Sequence, residues 1–146
     1  MRNISFNMTT DQVIRRQKAI TRRFAWKNIQ PEQHLQGVNK CQGLKPGQHP
    51  VKLAEIIVLD SQWEPLNEII KRPFRKAKSA REWAAFKKCC GIQRDYSMIP
   101  CISETALEGF PFMTPEDFVE MLLRSNRKAT EETPVNRIVF EYAEAV

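Results

Sequence analysis

Alternating hydrophobic and polar positions predict several strands along the chain. The strongest pattern is VKLAEIIVLDSQW (51–63), an apolar run that predicts a strand covered on both faces. The preceding EQHLQGVNK (32–40) alternates weakly, and the turn-forming GLKPGQHP (43–50) between them predicts a hairpin. Shorter strands are expected at residues 4–6, at 19–24 and at 135–142 near the end of the chain.

Helical spacing and capping residues predict helices between these strands. Thr9 and Gln12 form a possible capping box at the start of the first helix, and Ser79 and Glu82 form another. In the second of these helices Trp83, Phe86 and Cys90 are spaced as an apolar stripe, and Gly91 is the expected stop. TPEDFVEMLLRSN is the clearest helix, with Thr114 as its N-cap, and SETALEG predicts a short helix that ends at Gly109.

These elements predict an α+β fold, with a small mixed or barrel-like sheet and flanking helices. A chain of 146 residues with 42% hydrophobic residues fits one domain, residues 1–146, without repeats. Residues 71–102 are the most separable part and are predicted to be an insertion. The first ten residues lack the apolar region of a secretory signal, and no apolar run is long enough to span a membrane. We therefore expect a soluble cytoplasmic protein.

The net charge of +6 is distributed unevenly. Residues 1–50 carry a net charge of +7 and residues 71–94 carry +8, whereas residues 95–146 carry −6. A basic surface attracts polyanions, most often nucleic acid, although charge of this size also serves solubility. The four cysteines are expected to be reduced and mostly buried. Cys89 and Cys90 are adjacent and the two histidines show no ligand spacing, so we predict no metal and no cofactor.

The densest basic segment is interrupted by uncharged residues. RRQKAITRRFAWK (15–27) holds six basic residues and no acid, with Ala19, Ile20 and Thr21 in the middle. A solvated basic face needs no apolar pair. We therefore expect Ala19 and Ile20 to anchor the segment in the core, so that the polar side chains line a cleft.

Part of this segment resembles the G-x-K-T-x-T-x-R signature of ASCH domains, which belong to the PUA-like superfamily. Lys18, Thr21 and Arg23 match the signature, whereas Arg16 stands at its glycine and Ala19 at its first threonine. The stretches 40–66 and 108–122 are also similar to phage and bacterial members, and so is the terminal VNRIVFEY strand. Together the similar stretches cover about two thirds of the chain.

The resemblance implies a small β-barrel with a cleft that binds RNA or modified nucleosides. One subgroup resembles amidohydrolases that remove an acyl group from the exocyclic amine of cytidine derivatives. By position the resemblance implies Lys18, Thr21 and Glu108 as the catalytic residues of such a site. Lysine activates a threonine only when the amine is neutral, and Arg22 and Arg23 would lower the pKa of Lys18 in that direction. Alternatively, Lys18 and Thr21 only bind a phosphate or a base edge.

The other basic residues of the segment are predicted to contact nucleic acid. We expect Arg15, Arg16 and Lys27 on the rim as phosphate contacts, with Arg22 and Arg23 in the cleft. Trp26 is a candidate for stacking on a base, whereas Trp63 is expected in the core and Trp83 in helix packing.

Three functions remain open at this point. The first is an RNA-binding or modified-nucleoside-binding module, and the second is an amidohydrolase acting on an N4-acylated cytidine. The third is a phage-type protein-interaction module that binds its partner through residues 71–102. The basic stretch 71–88 extends a nucleic-acid surface, docks on the acidic C-terminal segment, or is a solvated face. The sequence does not determine the oligomeric state.

Overall fold

The computed structural model of the protein describes residues 1–93 and 98–143. Strands and short helices alternate along the chain. In chain order the elements are β1 (Arg2–Ser5), α1 (Thr10–Ile14), β2 (Ile20–Arg23), β3 (His34–Val38), β4 (Lys52–Pro65), α2 (Glu68–Lys71), β5 (Phe74–Arg75), α3 (Ala80–Cys90), β6 (Ile102–Ser103), α4 (Glu104–Leu107), α5 (Pro115–Ser125) and β7 (Pro134–Tyr142).

Five strands form one curled sheet in the order β1-β3-β4-β7-β2, which makes a half-barrel. β1 pairs with β3 in parallel, and the other neighbours are antiparallel. The predicted α+β class and mixed sheet are confirmed. β1 and β2 are the two edges of the sheet, and the Arg23 guanidinium of β2 donates to the Ser5 carbonyl oxygen of β1 at 2.6 Å. This contact draws the two edges of the half-barrel towards each other.

The long strand β4 forms the predicted hairpin with β3. Ala54, Ile56 and Val58 are buried, whereas the opposite face of β4 is only partly covered. Trp63, predicted to lie in the core, is 43% exposed, so that prediction is wrong. Trp63 lies on the same face as Val58, because the β-bulge between Val58 and Asp60 shifts the alternation of side chains, but near the end of the strand its side chain is left exposed.

The helices α3 and α5 begin at the predicted caps. The Ser79 hydroxyl accepts from the Glu82 amide, and the Thr114 hydroxyl accepts from the Asp117 amide. Gly91 ends α3 in the left-handed conformation, as expected for a C-terminal glycine. The predicted apolar stripe is wrong at its last position, because Cys89 is buried and Cys90 is exposed.

The capping box predicted for α1 does not form. Thr9 is the N-cap residue, but its side chain makes no capping hydrogen bond. The Gln12 side chain instead donates to the Gly109 carbonyl oxygen at 3.2 Å, 97 positions along the chain. Gln12 therefore makes a tertiary contact instead of the capping hydrogen bond that the local pattern predicted.

Helix α3 packs directly on the sheet. Trp83 and Phe86 share a hydrophobic cluster with Ile20 of β2 and Val139 of β7. Helix α3, which lies within residues 71–102, therefore contributes to the core, and whether residues 71–102 are an insertion stays a prediction. Within residues 1–93 and 98–143, no helix has the length and apolar character required to cross a bilayer.

Candidate functional site

A cavity of about 280 Å³ lies in the gap between the edge strands β1 and β2. Its far wall comes from the segment after α4 and from α5. Nine polar or charged residues line it: Ser5, Asn7, Thr9, Lys18, Thr21, Arg22, Arg23, Glu108 and Ser125. Six apolar residues complete the wall: Phe6, Met8, Phe24, Phe110, Phe118 and Met121. Lys18, Thr21 and Glu108, which are far apart in sequence, thus lie around one cavity.

Lys18 lies two residues before the start of β2 and is only 3% exposed. Its ammonium group donates to the Glu108 carbonyl oxygen at 2.6 Å and to Glu108 Oε1 at 2.9 Å. Burial lowers the pKa of Lys18, and although Glu108 opposes this shift, Arg23 and Arg22 add to it. The direction agrees with the sequence-based expectation, but desolvation is the main cause and the arginines are secondary. An ammonium has three donors, so one remains beyond the two used on Glu108.

Glu108 holds Lys18 in place from the C-terminus of α4. Its second oxygen, Oε2, accepts from Arg22 Nη1 at 2.9 Å, so both carboxylate oxygens are engaged. The residue is 2% exposed. Glu108 therefore orients Lys18, and a direct contact with a ligand requires that one of these hydrogen bonds be exchanged.

Thr21 and Arg23 lie on the same side of β2, since strand side chains at i and i+2 share a face. Arg23 Nε donates to Thr21 Oγ1 at 3.0 Å. The hydroxyl accepts this bond and keeps its proton for donation to another group. Burial lowers the pKa of Arg23 to about 10, which leaves the guanidinium charged at neutral pH. Arg23 therefore brings positive charge to the cavity and orients the Thr21 hydroxyl.

An ion-pair network behind the cavity was not anticipated from the sequence. Glu104 accepts from Arg22 at 2.7 Å and, through both oxygens, from Arg137 at 2.7 and 3.0 Å. Arg75 makes a two-pronged contact with Glu64 at 2.7 and 2.8 Å. Burial alone would raise the pKa of Glu104, but Arg137, Arg22 and Arg75 outweigh it and hold the pKa below its usual range.

The charges in this network balance only when Lys18 is neutral. With Lys18 protonated there are four cations and three carboxylates; the members are Lys18, Arg22, Arg75, Arg137, Glu64, Glu104 and Glu108. Two features of the sequence could have indicated this buried network. Glu104 and Glu108 lie four residues apart on a short helix, and Arg137 interrupts the apolar run of β7.

The basic residues predicted to contact phosphate are dispersed in the structure. Arg22 is buried, with a guanidinium that binds Glu104 and Glu108 rather than facing solvent. Arg15 is exposed and pairs with Asp11 at 3.3 Å, and the exposed Lys27 is not part of the cavity wall. Trp26 is half-buried under the guanidinium of Arg2, at 3.9 Å. Of the six predicted contacts, Arg23 and Arg22 line the cavity.

Arg16, at the position of the signature's glycine, has a backbone φ of 61°. This left-handed conformation costs a residue with a Cβ about 1–2 kcal/mol, and glycine adopts it without that cost. The Arg16 side chain binds the Val13 carbonyl oxygen at 3.1 Å and stacks on Tyr142. Those contacts help to keep arginine at a position that suits glycine.

We expect Arg16→Gly to be more stable than Arg16→Ala by about 1 kcal/mol. Both variants lose the same side-chain contacts, so their difference isolates the backbone conformation. Urea denaturation of the two proteins measures it. At Arg15, where φ is −83°, the order should be reversed, with alanine more stable than glycine. Equal stability of the two Arg16 variants would show that the left-handed conformation at position 16 costs alanine no free energy relative to glycine.

Three residues of the basic stretch 71–88, Arg75, Lys78 and Arg81, form ion pairs within the molecule. Arg81 donates to Glu141 of β7 at 2.9 Å and to Glu32, and Lys78 binds Asp60 at 2.9 Å. Of the three alternatives for the basic stretch 71–88, the contact with the acidic C-terminal segment is therefore observed, at Arg81. Partners of residues 71–102 in other molecules stay a prediction.

The cysteines are distributed differently from the prediction. Cys89 is buried, but Cys41, Cys90 and Cys101 are exposed, so the expectation of mostly buried thiols is wrong. Across residues 1–93 and 98–143, no three or more His, Cys, Asp or Glu side chains are grouped to hold a metal ion.

No family model, curated protein or solved structure matches the chain. The similarity to ASCH domains therefore rests on the quoted motifs and stays a prediction, and so does the PUA-like assignment within the α+β class. The geometry of the cavity stands independently of that similarity.

Proposed function

We propose that the protein binds a single nucleoside with a modified base in the cavity between β1 and β2. The observation that carries this proposal is the convergence of Lys18, Thr21 and Arg23 on one cavity of about 280 Å³. Small-molecule sites begin at about 300 Å³ and combine mostly apolar walls with a few convergent polar groups. The cavity is thus just below the lower end of this range, where one nucleoside is a suitable ligand and a folded RNA is not.

The composition of the wall favours a flat ligand with polar edges. Phe6, Phe24, Phe110 and Phe118 all line the cavity, and Phe110 and Phe118 contact each other with ring centroids 6.2 Å apart. Aromatic side chains bind bases of any sequence through their π-faces. Lys18, Arg23 and Thr21 supply donors for the carbonyl oxygens and ring nitrogens of a base. This combination supports a nucleobase over an aliphatic ligand.

The distribution of charge favours a nucleoside over a long RNA strand. Arg15, Arg16 and Lys27, the predicted phosphate contacts, are outside the cavity wall. A groove that follows an RNA backbone requires a continuous line of such residues. RNA remains a ligand only where it presents one unstacked nucleotide to the cavity.

We expect an N4-acylated cytidine to bind the purified protein, and Arg23→Ala to weaken the binding at least about tenfold. The arginine provides a charged donor and orients Thr21, so its loss removes two contacts. Isothermal titration calorimetry measures the affinity. The matched control is Arg127→Ala, which makes the same charge change at an exposed residue away from the cavity. No binding of any nucleoside by the wild-type protein would overturn the proposal.

A second candidate function, hydrolysis of the acyl group, is favoured by the state of Lys18. The residue is buried, its pKa is lowered, and Glu108 fixes its amine beside the cavity. The neutral amine takes the proton of Thr21, whose oxygen forms a bond to the acyl carbon. The C–N bond then breaks as Lys18 returns the proton to the departing amine. Water subsequently cleaves the threonine ester and releases the acid.

A further inference from the structure

A second cavity, of about 480 Å³, opens on the other side of Arg23. It shares Ser5, Asn7 and Arg23 with the nucleoside cavity, so the two adjoin at the gap between β1 and β2. Arg2, Trp26 and Lys40 form its outer part. A ligand in the first cavity can therefore extend past Arg23 into the second.

The charged side chains that line the second cavity are cations. Arg2, Arg23 and Lys40 line it, and its wall contains no aspartate or glutamate. Among residues 1–93 and 98–143, none of these three cations forms an ion pair with a carboxylate within 4 Å. Within the described part of the chain, Arg23 donates only to the neutral oxygens of Thr21 and Ser5. Most other arginines of the described chain, by contrast, pair with acids, and a cluster of cations without acids attracts an anion.

The cations are also held in defined positions. The Arg2 guanidinium lies over Trp26, with its carbon 3.9 Å from the ring centroid, and an arginine that stacks on an aromatic ring can still make a two-pronged contact with an anion. The loop that carries Lys40 is fixed at its base, where Asn39 and Val51 exchange hydrogen bonds at 3.0 and 2.8 Å. Both features lower the entropy lost when an anion binds.

We propose that this second cavity binds the phosphate group of a nucleotide whose base occupies the first cavity. The ligand is then a phosphorylated nucleoside, either a free nucleotide or one residue of an RNA strand. The inference rests on the proposed nucleoside binding and adds the phosphate to it. Arg23, at the junction of the cavities, contacts both halves of the ligand, while Arg2 and Lys40 contact only the phosphate.

Four probes test the inference: an N4-acylated cytidine, its 5′-monophosphate, its 3′-monophosphate and a short RNA that contains the same nucleotide. We expect at least one monophosphate to bind about 10- to 100-fold more tightly than the nucleoside. Lys40→Ala should remove most of this gain and leave the affinity for the nucleoside unchanged. The control is Lys45→Ala, an equal charge change at an exposed residue of the same loop outside both cavities. It should keep the gain.

Each outcome separates the two proposals. Equal affinity for nucleoside and monophosphates, or a gain that survives both Lys40→Ala and Arg2→Ala, would overturn the phosphate site and leave nucleoside binding intact. Failure of every probe to bind would overturn the nucleoside proposal, and the phosphate site with it. A gain that is limited to the monophosphates identifies a free nucleotide as the ligand. A gain shared by the RNA, with the same dependence on Lys40, identifies a residue of a strand.

Discussion

Glu104→Gln is expected to lower the free energy of unfolding by about 3–5 kcal/mol, as for other buried ion pairs from which one partner is removed. Glu104 is fully buried and binds Arg22 and Arg137. The amide of glutamine has nearly the same size, but it cannot neutralise two guanidinium groups away from water. Urea denaturation at pH 7 measures the loss.

The matched control is Glu120→Gln on the surface of α5. Glu120 accepts from Arg124 at 2.7 Å, the same distance as in the Arg22–Glu104 contact. The side chains of Glu120 and Arg124 are both exposed, however. An exposed pair one helical turn apart is worth about 0.3–0.5 kcal/mol. The two variants therefore compare the same substitution and the same contact at different burial. Similar losses in both would show that the buried network contributes no more than a surface pair.

Acid titration gives a second test of the same variant. The pKa of Glu104 in the folded protein is below its unfolded value, so its contribution is complete above the unfolded value, near pH 4.3. The contribution is lost as the pH falls through the folded pKa. The wild-type protein should therefore lose stability over this acid range more steeply than Glu104→Gln, which has no carboxylate to protonate at this position.

Local patterns predicted the five strands of the main sheet, the caps of α3 and α5 and the β3–β4 hairpin, since these depend on residues that are close in sequence, but they did not predict the short strands β5 and β6. The order of strands in the sheet was not predictable in this way. β7 lies between β4 and β2, and its pairing with β2 joins Ile20 to Val139 across more than 100 residues. Trp63 was misplaced for a related reason, because the alternation of β4 shows neither the β-bulge between Val58 and Asp60 nor the exposure of the end of the strand.

The motif predicted which residues line the cavity at Lys18, Thr21 and Glu108. It did not predict which of the neighbouring arginines is buried in the ion-pair network. Lys18, Thr21 and Glu108 do line one cavity. From the sequence, however, Arg22 and Arg23 were both expected to lie in the cleft. Alternation along β2 separates them. Arg22 points into the ion-pair network, and Arg23 lies with Thr21. Arg22 donates to Glu104 of α4 and to Glu108 at its C-terminus, more than 80 positions away in sequence. A local sequence pattern cannot predict such contacts.

Lys18→Met is expected to reduce hydrolysis of an N4-acylated cytidine by about 10²–10⁴-fold, the usual contribution of a general base. Methionine fills much of the same space but cannot accept a proton. Released acid, measured at constant substrate, gives the rate. Wild-type turnover should rise with pH and level off above the lowered pKa of Lys18, because only the neutral amine takes the proton of Thr21.

Two further variants show whether Lys18 acts in this way. Glu108→Gln removes the carboxylate that favours the charged amine, so the rise in rate should move to lower pH while Lys18 remains the base. Lys45→Met, at an exposed lysine, should leave the rate unchanged. A Glu108→Gln profile with an unchanged midpoint would assign the pH dependence to another group. Wild-type protein that binds the acylated cytidine and never releases acid would leave binding as the function of the cavity, because the same lowered pKa equally suits an amine that only accepts a hydrogen bond from the base.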